Sequence, residues 1–116
     1  MDNKLQMTML LDFFGDLLTD KQREYFDLYH NEDLSLSEIA ENVGITRQGV
    51  YDIIARAENT LLETERKTGL IKRFSEMQME IAKAVSLAEE IINQSDSAET
   101  AAIATQLSEL LTGLKG

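Results

Sequence analysis

The chain has 116 residues, the length of one ordinary domain, and its 21 acidic residues outnumber 11 basic ones, giving a formal charge of −10. It contains no cysteine, which excludes a disulfide framework and a thiolate metal cage, and one histidine, which excludes a histidine-rich zinc site. No apolar run approaches the roughly 20 residues that cross a bilayer, and the charged N-terminus lacks the apolar core of a signal peptide. We therefore expect a cytoplasmic protein with no membrane insertion, metal or cofactor.

The composition favours helices along the whole chain. Proline is absent, glycine occurs six times, and strand-forming residues are dispersed rather than grouped in alternating runs. We predict an all-α fold in two parts. A helix-turn-helix module is expected over residues 1–68, and a C-terminal helical hairpin over residues 69–116.

Two helices are predicted in the first 30 residues. The first runs from about Asn3 to Leu18, and its apolar residues recur every three or four positions, as on one buried stripe. These residues are Leu5, Met9, Leu10, Phe13, Phe14 and Leu17. The second helix begins at a capping box formed by Thr19 and Gln22 and runs to about Tyr29. Its expected core residues are Tyr25, Phe26, Leu28 and Tyr29.

The segment over residues 35–66 carries the most specific signal. A second capping box, Ser35 with Glu38, opens a short helix, and Gly44 ends it because glycine adopts the left-handed conformation cheaply. Thr46 caps the next helix, which runs to about Arg66. The apolar residues have the spacing that a helix-turn-helix requires, with two helices crossing around a small core. They are Ile39, Ala40, Val43, Ile45, Val50 and Ile53.

In a helix-turn-helix the first turns of the second helix face outward. Here this surface, the recognition face, consists of Thr46, Arg47, Gln48, Tyr51, Asp52 and Arg56. Arg47 can chelate guanine and Gln48 can pair with adenine. Thr46 can hold a phosphate at the helix N-terminus, and Tyr51 and Arg56 can contact the DNA backbone. The alternative is that these are solvated residues of a structural three-helix module, because a fold does not fix a function.

The charge balance favours that alternative. Residues 1–66 contain six basic and 14 acidic residues, a formal charge of −8. Binding to phosphates is driven by counterion release at Lys and Arg, so a module of this charge repels a duplex at long range. Only the recognition face, with Arg47 and Arg56 against Asp52, is mildly positive. We expect weak DNA binding by a single copy, with dimerisation or a partner supplying the rest.

Three stretches carry a resemblance to a known family. Leu18–Arg23 (LTDKQR), Leu36–Glu41 (LSEIAE) and Thr46–Asp52 (TRQGVYD) resemble the YlxM family of small proteins from Gram-positive bacteria. The resemblance is densest over residues 1–75. Members of that family are encoded beside the GTPase of the signal recognition particle, and the resemblance implies a role in that protein-targeting pathway.

The N-terminal part also looks like region four of bacterial sigma factors, the helix-turn-helix that contacts the upstream promoter element. This resemblance implies base and backbone contacts at the recognition face. Gly49 departs from the pattern, since a longer polar residue is usual there, and Asp52 adds a negative charge where the phosphate backbone would pass.

The C-terminal part has a heptad-like apolar pattern beyond a boundary at residues 67–69. On the first helix the pattern comprises Ile71, Phe74, Gln78, Ile81, Val85, Ala88 and Ile92. On the last helix it comprises Ala98, Ala102, Ile103, Leu107, Leu110, Leu111 and Leu114. A polar turn at residues 93–97 separates the two, which predicts an antiparallel hairpin. Apolar surface left over would bury against another chain, so we predict a homo-oligomer built chiefly from residues 70–112.

No residue pattern indicates an enzyme. We interpret His30 as a surface residue in a polar break, and Glu32 with Asp33 as a solvated turn without calcium-loop spacing. Phosphate loops, nucleophile elbows and acid–base pairs are not found, so we predict no enzyme activity and no small-molecule substrate. Two hypotheses remain. One is a DNA-binding regulator; the other is an acidic adaptor that binds components of the signal recognition particle, with the helix-turn-helix as scaffold.

Overall fold

The computed structural model describes residues 3–115, and every regular element in that range is helical. The predicted all-α class is confirmed. The elements are α1 (Asn3–Phe14), a 3-10 turn (Gly15–Leu17), α2 (Asp20–His30), α3 (Leu36–Val43), α4 (Arg47–Thr68), α5 (Leu70–Gln94) and α6 (Ala98–Lys115). Gly116, which we expected at the frayed end of the last helix, lies outside the described residues, as do Met1 and Asp2 of the charged N-terminus. No helix within residues 3–115 is both long and apolar enough to span a membrane.

The chain divides into two compact units between Ile71 and Lys72. The first unit contains α1 to α4 and the first two residues of α5. The second contains the rest of α5 together with α6. Each unit is described below by itself.

The helix starts in the first unit follow the capping signals of the sequence. The Thr19 hydroxyl accepts a hydrogen bond from the backbone N–H of Gln22, whose side chain accepts one from the backbone N–H of Thr19 at 3.0 Å. Ser35 and Glu38 form the same reciprocal pair at the start of α3. The hydrogen bonds from Ser35 hold the pKa of Glu38 below its usual value, because they favour the ionised carboxylate.

The core of the first unit is organised around α4, which contacts α1, α2 and α3. Val50 and Ile54 near the start of α4 pack in one apolar cluster with Tyr25, Ile39 and Ala40. Further along, α4 enters a second cluster, whose members are Met7, Leu10, Leu11, Phe14, Leu18, Phe26, Ala57, Leu61 and Ile71. One helix therefore carries the recognition face at its N-terminal end and stabilises the unit along the rest of its length.

The predicted stripe on α1 is partly wrong. Met7, Leu10, Leu11 and Phe14 are its buried residues, whereas Leu5, Phe13 and Leu17 are exposed. The buried row Met7, Leu11, Phe14 and Leu18 has spacings of four, three and four residues, so the inner face keeps helical spacing but lies on a row beside the predicted one. Leu18 rather than Leu17 therefore enters the core.

The second unit is an antiparallel helical hairpin. Nε2 of Gln78, near the start of α5, donates a hydrogen bond of 3.0 Å to the backbone carbonyl of Lys115 at the end of α6. Ala88 and Ala104 are buried. At the turn, the hydroxyl of Ser97 accepts a hydrogen bond from the backbone N–H of Thr100 and so caps α6.

The apolar pattern that we predicted on α6 is not the row that packs inside this unit. Ile103, Leu107, Leu110 and Leu114 are exposed, whereas Ala104 is buried. Phe74, expected in the α5 pattern, is also exposed. Because the apolar residues of α6 extend around about half of its circumference, spacing alone does not distinguish its inner row from its outer one.

Candidate nucleic-acid interface

A left-handed glycine makes the turn between α3 and α4. Gly44 has φ 78° and ψ 29°, and its N–H donates to the carbonyl of Ala40 at 2.9 Å, which closes α3. The predicted role of Gly44 is confirmed. Ile45, which we expected in the small core, is exposed instead, although Ile39 and Val50 are fully buried. The turn thus fixes the crossing of α3 and α4 without help from a buried Ile45.

Thr46 caps α4, as the sequence predicts. Its hydroxyl accepts a hydrogen bond of 3.0 Å from the backbone N–H of Gly49. A Cβ placed on Gly49 would lie 3.1 Å from that hydroxyl oxygen, so a side chain here would push against the cap. The absence of a side chain at Gly49 therefore protects the start of α4, where free N–H groups and the helix dipole favour a phosphate.

The six residues of the recognition face are all exposed. They lie at the N-cap of α4 and on one side of its first three turns. At about 100° per residue, the nine positions between Arg47 and Arg56 amount to a half turn about the helix axis. The two guanidinium groups therefore lie at opposite edges of the face, roughly 14 Å apart along the axis. Arg47 shares its edge with Tyr51, one turn further on. This arrangement suits a helix lying in a major groove about 12 Å wide, whose two rims are phosphate backbones.

Gln48 and Asp52 meet at the centre of the face. Nε2 of Gln48 donates a hydrogen bond of 2.9 Å to Oδ1 of Asp52. A primary amide has two N–H groups, so one N–H and the amide oxygen of Gln48 stay available, which are the two groups that pair with adenine. Asp52 thus orients Gln48 as well as adding a negative charge.

The acidic residues on and near the recognition face have side-chain partners, whereas its two arginines have no carboxylate partner in the part of the chain that the structure describes. Among residues 3–115, neither Arg47 nor Arg56 has a carboxylate within ion-pairing distance. Asp52 is tied to Gln48, and Glu58, one turn beyond Ile54, is tied to a histidine. With Arg47 and Arg56 against Asp52, the face carries a formal charge of +1, although residues 1–66 together carry −8.

His30 is the partner of Glu58, and our interpretation of it as a surface residue is wrong. Its side chain is only 10% exposed, and its Nε2 lies 2.6 Å from Oε1 of Glu58. The ring also packs against Phe26 at a tilt of 47°, with centroids 4.4 Å apart. The pair joins the end of α2 to the middle of α4. Phe26, one helical turn before His30, was the only local hint of burial, and a partner 28 residues away gives no local signal.

Tyr51 has a neighbourhood that sequence reasoning missed. With Tyr29 and Leu36 it lines a shallow pocket where α2, α3 and α4 converge, and both phenol rings are partly exposed. Exposed aromatic rings beside a basic residue can stack on a base or pack on a sugar. No three His, Asp or Glu side chains within residues 3–115 come together in a way that could hold a metal ion.

Comparison with known proteins places this geometry in a family. A family model described as UPF0122, "Putative helix-turn-helix protein, YlxM / p13 like", matches residues 1–103. A UPF0122 protein of Caldanaerobacter subterraneus subsp. tengcongensis is 54% identical over 82 residues, covering 71% of this chain and 70% of the relative. One from Bacillus cereus is 46% identical over 90 residues, covering 78% and 82%. One from Desulforamulus reducens is 43% identical over 82 residues. With a matching model over most of its length and relatives of this similarity, the chain belongs to the UPF0122 family of YlxM / p13-like helix-turn-helix proteins.

Proposed function

We propose that the protein is a DNA-binding regulator that works in the cytoplasm and places the recognition face of α4 in a major groove. The observation that carries the proposal is the state of Arg47, an exposed guanidinium without a carboxylate partner among residues 3–115, in the first turn of a capped helix. The resemblance of the N-terminal sequence to sigma region four supports the same role.

Each residue of the face has a part in this proposal. Arg47 chelates guanine, and Gln48, oriented by Asp52, pairs with adenine through its free N–H and oxygen. Thr46 presents the start of α4 to a phosphate, while Tyr51 and Arg56 contact the backbone at the two rims of the groove. Because Arg56 is the one basic side chain assigned to the backbone, the salt dependence of binding should correspond to about one neutralised phosphate per copy.

The test is a fluorescence anisotropy titration with duplex DNA across a salt series. Arg47→Ala should weaken binding by about 1–3 kcal/mol, roughly 5- to 150-fold, and relax the sequence preference. Lys21→Ala is the matched control, since it removes one exposed positive charge from α2, outside the face. Wild-type protein without salt-dependent affinity for DNA at low ionic strength would refute the proposal, as would equal losses in the two variants.

A second candidate function is supported by the opposite charge. The carboxylates of Asp12, Asp20, Glu24 and Asp27 line one groove of the first unit. We propose, as the alternative, that this acidic surface binds a basic component of the signal recognition particle, the pathway that the YlxM resemblance implies. Titration of the purified particle GTPase tests this. Asp20→Asn with Glu24→Gln should weaken binding to the GTPase without weakening binding to DNA. Failure of the wild type to bind the GTPase at low salt would exclude this alternative.

Under either function we propose that the protein acts as a homo-oligomer. For DNA binding, two copies double the number of basic contacts and allow two half-sites to be contacted at once.

A further inference from the structure

One face of the C-terminal hairpin is apolar and exposed to solvent. Ile103, Leu107, Leu110 and Leu114 of α6 are 67%, 46%, 70% and 71% exposed. Their spacing of four, three and four residues is that of a coiled-coil seam. The row lies outside the packed interior of the unit, because Ala104 occupies the inner side of α6.

The preceding helix adds to the same side. On both helices exposed apolar residues directly precede buried ones, as Ile103 precedes Ala104 and Leu87 precedes Ala88. One position is about 100° of rotation, and because α5 and α6 are antiparallel, equal rotations bring both outer rows to one broad side of the hairpin. We name this surface the apolar face. Its members are Met77, Leu87, Ile91, Ile103, Leu107, Leu110 and Leu114, each between 44% and 71% exposed.

We propose that a second copy of this chain covers the apolar face, so that two hairpins form a four-helix interface. The inference rests on the proposed function in one respect: it names the surface through which the proposed oligomer forms.

The area of the face fits a stable dimer. The exposed parts of its seven side chains amount to about four whole apolar side chains, each with roughly 100 Å² of apolar surface, or about 400 Å² per copy. Homodimer interfaces are about 65% apolar, so the contact as a whole would bury about 600 Å² per copy and about 1,200 Å² in the pair. That value lies at the start of the range for specific, stable interfaces.

The charge pattern favours a second copy over a basic partner. The chain carries a formal charge of −10, yet between Thr100 and Leu114 its only charged residue is Glu109, which lies off the exposed row. A basic partner would be attracted by carboxylates, and the face presents none between Ile103 and Leu114. Two copies of an acidic protein, in contrast, repel least where they meet through a surface that is uncharged on α6 and on α5 has Glu80 paired with Lys83.

The experiment is sedimentation velocity of the full chain between about 1 and 100 μM. The wild type should sediment as a species of twice the 13.1 kDa chain mass. Leu107→Glu combined with Leu110→Glu should weaken self-association by about 100-fold or more, because it opposes carboxylates across the contact. Leu5→Glu combined with Leu17→Glu is the matched control, since both residues are exposed on the first unit, and it should leave the dimer intact.

Unchanged far-UV circular dichroism of the Leu107/Leu110 variant shows that its hairpin is folded. A wild type that remains monomeric at 100 μM overturns the proposal, and so does a Leu107/Leu110 variant that dimerises as tightly as the wild type. Sedimentation velocity and circular dichroism are both measured without nucleic acid. The Arg47→Ala variant should remain dimeric, so loss of DNA binding and loss of the dimer are separate outcomes.

The absence of cysteine from the chain permits a second, independent readout. Single substitutions Leu110→Cys and Leu62→Cys place one thiol on the apolar face and one on an exposed position of α4. A flexible bis-maleimide, which does not need the two thiols to touch, should link Leu110→Cys into a dimer at low protein concentration. Equal cross-linking of the two variants would indicate random collision and overturn the proposal.

Discussion

Replacing Gly44 by alanine isolates the conformational cost of the turn between α3 and α4. Gly44 has φ 78°, and a Cβ built there meets no atom within 4 Å, so alanine introduces backbone strain without a steric clash. A left-handed residue with a Cβ costs about 1–2 kcal/mol, partly offset by about 0.4–1 kcal/mol because alanine restricts the unfolded chain. We expect a net destabilisation of about 1 kcal/mol, or a melting temperature lowered by about 4–6 °C, measured by circular dichroism.

Two further variants make this reasoning refutable. Gly44→Asn should lose less than Gly44→Ala, since asparagine tolerates the left-handed region. Gly113→Ala should raise stability or leave it unchanged, because Gly113 lies within α6, has no atom within 4 Å of the added Cβ, and alanine favours a helix by about 0.5–1 kcal/mol. Equal losses in the two alanine variants, or no loss at Gly44, would refute the assignment of strain to the positive φ.

Two predictions concern the core and the response to pH. Leu61 is completely buried where α4 crosses α1. Leu61→Ala should therefore lower the free energy of unfolding by about 2–5 kcal/mol, measured by urea titration. A loss below about 1 kcal/mol would contradict this packing. Ser35 holds the pKa of Glu38 below its usual 4.5, so the stability that this carboxylate contributes is complete above about pH 4.5 and is lost as the pH falls through the folded-state value. Glu38→Gln should therefore reduce the loss of stability of α3 at low pH. Amide hydrogen exchange across a pH series measures this loss. An unchanged profile would show that the capping box contributes no pH dependence.

Local chemistry explains why part of the fold is predictable from the sequence. A capping box needs only four consecutive residues, and both of those seen in the sequence form as expected. Gly44 and Thr46 act through their own backbone neighbours, so the helix-turn-helix turn is also visible in the sequence. The positions of the recognition-face residues follow from this turn, since they are the first residues of α4.

The features that sequence reasoning missed depend on how the helices pack against one another. Apolar residues outnumber the places available on the inner faces of α1 and α6, and the spacing does not say which row is buried. Leu17 and Leu18 are adjacent apolar residues, and the packing of the unit rather than the spacing decides which of them is buried. The pairing of His30 with Glu58, and of Gln48 with Asp52, depends on side-chain geometry that an isolated pattern does not encode.

The position of α4 within the first unit has a consequence for how the proposed DNA binding would be lost. Its 22 residues form one rod of roughly 33 Å that bears the recognition face at one end and, further along, packs against α1 and α2. The face therefore has no hinge of its own, and a ligand meets it as a preformed shape. Weakening the distant end of the rod should reduce the fraction of molecules competent to bind while leaving the intrinsic affinity of each folded molecule unchanged.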